Sequence, residues 1–175
     1  MEATLTKPPL SQRINWRMII FFLVIGTMIG YPLYQFVHEA VTGGITSAGN
    51  GYTHVELKAM SGFVFDQTAG SINDIPEKWR QLDGKKVIME GEMWDSRGAG
   101  QEVSSFQLCY SIAKCCFSGP PQVQHFVNSR PMEGKSLNYY SGLVRVKGVL
   151  HVNVKKEAGK VQSVFEMDVE SVEPF

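Results

Sequence analysis

Hydrophobic positions along the chain follow two different rules. Residues 18–38 form 21 consecutive positions without a formal charge, opening on Met18-Ile-Ile-Phe-Phe-Leu-Val-Ile25. About 20 apolar residues wound as a helix cross a hydrocarbon core of roughly 30 Å, so this stretch predicts a membrane-spanning helix. Beyond residue 54 the apolar positions alternate in short runs with period two, the pattern of half-buried strands.

The clearest alternation lies at 143–154, where Val144, Val146, Gly148, Leu150, Val152 and Val154 face one way and Arg145, Lys147, His151 and Asn153 the other. A polar turn at 155–160 joins it to 161–172 as a long hairpin. Residues 87–94 set Val87, Met89, Gly91 and Met93 against Ile88, Glu90, Glu92 and Trp94, and residues 103–110 place Phe106, Leu108 and Tyr110 on one face. Residues 55–57 and 63–65 predict a first strand, or a bent pair around Ser61-Gly62. Asn73-Asp74 followed by Pro76 and Glu77 supplies a cap, a first-turn proline and an early acid, which predicts a short helix through Leu82 closed by Asp83-Gly84. Five or so strands, one short helix and a glycine inside a long strand predict a mainly β fold. The expected architecture is an OB-like small β-barrel with one short helix, preceded by a single transmembrane helix; a small β-sandwich is the alternative.

The expected layout is a cytoplasmic tail at 1–17, an anchor helix at 18–38, a flexible linker at 39–53 and an exported β domain at 54–175. Residues 42–53 are small, polar and glycine-rich, which favours a tether. Trp16, Tyr31 and Tyr34 mark the two interfaces of the helix, and Lys7, Arg13 and Arg17 all precede it, which keeps the N-terminus cytoplasmic and sends the domain to the periplasm of a bacterial inner membrane. A cleaved signal peptide is the rival reading. Its best cleavage site, Thr46-Ser-Ala48, lies far from the apolar run and no lipidatable Cys follows, so an uncleaved single-pass anchor is expected. Gly26 and Gly30 make a G-x-x-x-G spacing that permits helix approach, and Pro32 is placed to bend the exit turn.

Charge then narrows the partners. The formal net charge is zero, but residues 38–175 carry 14 basic and 16 acidic side chains. Phosphate-gripping domains need a basic excess on one surface, so nucleic acid is excluded and the only partner written into the composition is membrane lipid.

Chemistry concentrates in one neighbourhood: Cys109, Cys115 and Cys116, then Pro120-Pro121 and His125. In an oxidising compartment a disulfide from Cys109 to Cys115 or Cys116 explains two of the three thiols. Alternatively, Cys109, Cys115, Cys116 and His125 make a Cys3His metal set of the kind that suits zinc or copper, although the spacing lacks the usual C-x-x-C pairs. Thiol redox exchange is a weaker reading for the same lack. A third possibility is an enzyme with Cys116 as nucleophile and His125 as base. His38, His54 and His151 read as solvated or hydrogen-bonded side chains. Glu90 and Glu92 share a strand face, which an exposed sheet explains without catalysis. Ser104, Ser105 and Ser118 lack a G-x-S-x-G elbow, and neither a phosphate-cradling loop nor H-E-x-x-H occurs.

Several pieces in order, Leu82-Asp-Gly-Lys-Lys-Val87, Gly91-Glu-Met93, Phe106-Gln-Leu108 and Cys115-Cys-Phe-Ser-Gly-Pro-Pro-Gln-Val-Gln-His125, resemble a bacterial family of exported domains of unknown function. That family is commonly encoded beside ABC transporter permeases of the MacB and Lol type, sometimes in zinc-regulated clusters. The resemblance covers about residues 75–172. Only Cys115, Cys116 and His125 map onto its distinctive motif; Cys109 does not, which weakens the four-ligand set. The resemblance implies an accessory role beside a transporter. The leading expectation is therefore a non-enzymatic, membrane-anchored binding module of an ABC-type transport system, with the 109–125 loop as its functional surface.

Overall fold

The computed structural model describes residues 15–94, 102–117 and 119–175, with side chains at all of these except 35, 36, 38–42, 116 and 117. Residues 1–42 and 43–175 are separate compact units. In the first, α1 (Trp16–Thr42) runs for 27 residues, about 40 Å at 1.5 Å per residue. It continues past the end expected at residue 38 and passes through Pro32. Residues 16–34 have a mean hydropathy of 1.6 and none is buried; Phe21, Phe22, Leu23 and Ile29 are all exposed. A helix apolar on every side has no polar face to turn to water, and this one is long and apolar enough to span a membrane or to act as a signal sequence.

The second unit is mainly β. It begins with a hairpin of β1 (Ile45–Gly49) and β2 (Tyr52–Val55), so the segment expected as a flexible linker at 39–53 is instead helix end and paired strand. The reason is local. Gly49, Asn50 and Gly51 all have positive φ (75°, 52° and 79°), and a sequence small and glycine-rich enough for a tether is also what such a turn requires. β2 then gains a parallel partner, Thr53 opposite Val87, in β3 (Lys86–Trp94).

After β3 come β4 (Glu102–Val103), β5 (Phe106–Cys109), β6 (Val127–Pro131), β7 (Leu137–Asn138), β8 (Leu143–Glu157) and β9 (Lys160–Pro174). β3 pairs with β5, β5 with β6, β6 with β9 in parallel, β9 with β8, and β8 returns to β3. Within this cyclic order each of the five strands has two partners, and β3 pairs with β2 as well. β4 and β7 form a separate two-stranded pair. The expected 103–110 strand is thus broken in two, with β4 outside the ring.

The expected hairpin is present and tighter than its polar turn suggested: Glu157 pairs with Lys160 around Ala158-Gly159, both at positive φ, as a two-residue hairpin turn requires. The inward faces of β3, β8 and β9, including Val87, Met89, Val144, Val146, Leu150, Phe165 and Met167, are buried in one cluster.

Val55 closes β2, but no strand continues through 56–57 or forms at 63–65. Leu57 and Met60 instead begin and end α2 (Leu57–Met60), both buried, because positions three apart share a helix face as readily as alternate positions share a strand face. Phe63 stands edge-on to Phe65 and Phe165, with ring centres 6.0 and 6.2 Å apart. The predicted short helix appears as α3 (Glu77–Arg80), which buries Trp79 and follows a 3-10 turn at Ile72–Asp74. Asp74 Oδ2 accepts from both Ser71 N and Ser71 Oγ, at 2.8 and 2.9 Å.

Candidate functional site

Strand register places outward side chains in a row that the linear sequence does not display. Trp94 of β3 lies opposite Gln107 of β5, Gln107 opposite Asn128 of β6, Asn128 opposite Glu166 of β9, and Glu166 opposite His151 of β8. At the Trp94 end of this row the surface opens into a pocket of about 350 Å³, lined by Trp94, Gln107, Asn128 and Gln162 and by Pro121, Gln122, Val123 and Phe126. Its volume is at the low end of the roughly 300–1,000 Å³ typical of small-molecule sites.

The pocket has aromatic and apolar walls and an amide floor. Trp94 is 45% exposed. Gln107 Nε2 donates to Asn128 Oδ1 at 3.1 Å, which orients both amides and leaves the Gln107 carbonyl and the Asn128 NH2 for a further partner. The wall from 121 to 126 is pinned by a glutamine network. Gln124, 1% exposed, donates to Phe63 O at 3.2 Å and to Gln122 Oε1 at 2.6 Å. Its own carbonyl accepts from Gln67 Nε2 at 3.0 Å, and Gln67 Oε1 accepts from Val123 N at 2.9 Å. A buried amide with its groups satisfied holds a loop more specifically than apolar contact does.

The rest of the row is charged and self-neutralised. Glu166 accepts from Lys155 at 2.6 Å and from Ser163 Oγ at 3.0 Å; burial opposes its ionisation, but these hydrogen bonds outweigh it and its pKa is lowered. Asp168 accepts from Arg130 Nε at 2.7 Å and lies 3.0 Å from His151 Nε2. The Arg130 hydrogen bond leads in lowering the Asp168 pKa, against burial and with help from His151. A second ion-paired surface surrounds Glu90, which accepts from Arg145 at 2.8 and 3.0 Å and lies 3.9 Å from His54. Glu92 instead holds a helix start, its Oε2 accepting from Ile112 N at 2.6 Å where α4 (Ile112–Phe117) begins. Neither glutamate pairs with the other as acid and base.

The cysteine neighbourhood draws on two elements. Cys109 ends β5 with its Sγ directed at Glu92 O, 3.7 Å away, and Cys115 is buried on α4. Burial first, then the electrostatic effect of Cys115 and Cys109, pushes the pKa of Tyr110 up. The side chain of Cys116 lies outside the described residues, as do those of His38 and all of Ser118. His125 sits in a 3-10 turn at Val123–His125; its Nδ1 is buried with no partner among the described residues, and burial lowers its pKa. Among the described residues, which leave out the side chain of Cys116, no group of three His, Cys, Asp or Glu side chains gathers as a metal site.

No family model matches the chain, and no curated protein does. Among the solved structures that match is a DUF3299 family protein from Pseudomonas aeruginosa PAO1, an uncharacterised bacterial protein. The identity is 17% and the TM-score 0.40, with 55% of this chain and 64% of that one covered.

Sequence reasoning pointed to 109–125 and reached only the far end of the pocket, through Pro121, Gln122 and Val123. It missed Trp94, Gln107, Asn128 and Gln162. Their one sequence signal is polar amides at outward strand positions; their convergence depends on register between strands that are distant in sequence.

Proposed function

We propose that this protein is a membrane-anchored, exported binding module whose ligand occupies the pocket between Trp94, Gln107, Asn128 and Phe126. The observation that carries the reading is the pocket: apolar walls, a few convergent polar groups and, among the described residues, no titratable side chain in its lining, the composition of a binding site rather than of an acid–base centre. The cyclic pairing of β3, β5, β6, β9 and β8 supports an OB-like barrel. In OB folds the second and third strands, with the loops after the first and fourth, form the ligand face. Here these correspond to β5 and β6, which carry Gln107 and Asn128.

The anchor is α1 and the domain is periplasmic, as the basic flank Lys7, Arg13 and Arg17 favours. The ABC-type permease that the sequence resemblance implies is the proposed partner, which would receive ligand from, or be gated by, the loaded domain. Two measurements on the full chain test this reading. Protease added to cells with a permeabilised outer membrane should digest residues 43–175 and spare α1; protection of the domain overturns the topology. A fragment screen followed by Trp fluorescence should find ligands whose effect is lost in Trp94→Ala; the absence of any Trp94-dependent ligand overturns the binding site.

A further inference from the structure

We infer that the pocket takes an uncharged, hydroxyl-rich ligand, a neutral saccharide, with one ring stacked on Trp94 and its hydroxyls bridged by the amides of Gln107, Asn128 and Gln162. The inference rests on the binding-site reading above and specifies the chemistry of its ligand.

Charge decides first. Among the described residues no Lys, Arg, His, Asp or Glu lines the pocket, and the nearest carboxylate in the cross-strand row, Glu166, is already engaged by Lys155 and Ser163. A phosphate or carboxylate ligand would be desolvated there without a counter-charge, which is costly. A nucleobase would stack on Trp94, but the phosphates that accompany it would meet a domain with more acids than bases, whereas single-strand binders follow the backbone with a positive groove.

A purely apolar ligand fails for the opposite reason. Four amides would lose their water with nothing to replace it, and an unpaired buried polar group is destabilising. An extended peptide normally adds to a sheet edge through its main chain. β5 and β6, which floor the pocket, already have partners on both sides, so no edge is offered there.

A saccharide meets every condition. Each hydroxyl both donates and accepts, and adjacent hydroxyls match a side-chain amide, which presents one carbonyl acceptor beside two N–H donors. The Gln107–Asn128 hydrogen bond leaves an acceptor on one and a donor on the other, on neighbouring strands that both line the pocket. The C–H face of a sugar ring is apolar and fits a partly exposed indole, whose amphipathic character suits a site with one dry and one wet side.

The test uses the full chain in a detergent without a sugar headgroup, titrated with neutral tetrasaccharides (β-glucan, α-glucan and N-acetylglucosamine types) up to millimolar concentration. Mononucleotides, neutral tetrapeptides and the fragment screen serve as comparison. Binding of a neutral saccharide is expected, little affected by salt, weakened at least about tenfold by Trp94→Ala and weakened further by Asn128→Ala. Both positions face outward, and unchanged thermal unfolding of the variants separates lost binding from lost fold. If all three saccharides fail while a peptide, nucleotide or fragment binds in a Trp94-dependent way, the pocket is a binding site and the saccharide inference falls. If no probe shows Trp94 dependence, both fall.

Discussion

A methyl group placed on Gly148 would stand 2.3 Å from the carbonyl oxygen of Asp168. The two residues belong to β8 and β9, and the register between those strands shifts between Lys147 and Gly148. The missing side chain therefore lets two backbones approach where the long hairpin is irregular, as strand glycines often do. Because the obstructing atom is main chain, a Cβ cannot be accommodated by a rotamer change. Gly148→Ala is predicted to destabilise the domain by about 1–3 kcal/mol, read as a lower urea midpoint with unchanged slope. A variant as stable as the parent would show that the β8–β9 approach is looser than described.

Asp168 also gives the outer sheet an acid-sensitive tie. Its pKa is lowered, first by the Arg130 hydrogen bond and further by His151, with burial opposing. The unfolded state thus takes up the proton first as pH falls. Stability from this group is complete above the usual aspartate value, about 3.9, and is lost as pH drops through the lower folded value. Urea unfolding at pH 7 and near pH 3 is expected to show acid destabilisation that shrinks in Asp168→Asn. An unchanged pH slope in that variant would mean the Arg130 pair is too solvated to matter, as many surface pairs are.

How much of this was legible in the sequence follows a physical divide. β3, β8 and β9 could be read directly because each buries one face, and burial of one face writes period-two alternation into consecutive residues. The short helix was legible from Asp74, Pro76 and Glu77, whose roles are local. α2 was not, since four residues anchored by Leu57 and Met60 carry too little period to separate helix from strand. The β1–β2 hairpin was hidden because Gly49-Asn50-Gly51 serves a loose chain and a tight turn equally. Glu92 reads in the sequence as a carboxylate on an exposed sheet face, and only the fold reveals that it meets Ile112 N. The pocket was least legible of all, because Trp94, Gln107, Asn128 and Gln162 converge through strand pairing rather than spacing. The cysteines, by contrast, drew attention by composition alone, and composition does not say that Cys109 and Cys115 point into buried surroundings.

Gln124 links the pocket wall to the segment around Phe63. Truncating it to Ala would leave Phe63 O without its donor and Gln67 Nε2 without one acceptor in a buried setting, where an unsatisfied group costs about 1–3 kcal/mol. Gln124→Ala is predicted to lower stability by that amount and to speed amide exchange at Val123, whose N–H is held by Gln67. Ligand affinity should fall with it, although Gln124 does not line the pocket. Slow exchange at Val123 in the variant would show that Pro121 and Phe126 hold the wall unaided.

His125 makes the sharpest pH prediction. Its ring is partly buried, its Nδ1 has no partner among the described residues, and burial lowers its pKa. The unfolded imidazole titrates near 6.5, so on acidification the unfolded state gains a proton before the native state does. Stability is then lost as pH falls from about 6.5 toward the folded value and becomes level again below it. Ring resonances of His125 should titrate below the unfolded value, and His125→Gln should flatten the stability profile from about pH 6.5 down to the lowered folded value without removing the steeper loss that Asp168 contributes at lower pH. Titration of His125 at or above 6.5 would mean that its Nδ1 has found an acceptor, and the turn at Val123–His125 would then be held by a charged hydrogen bond rather than by the glutamine network.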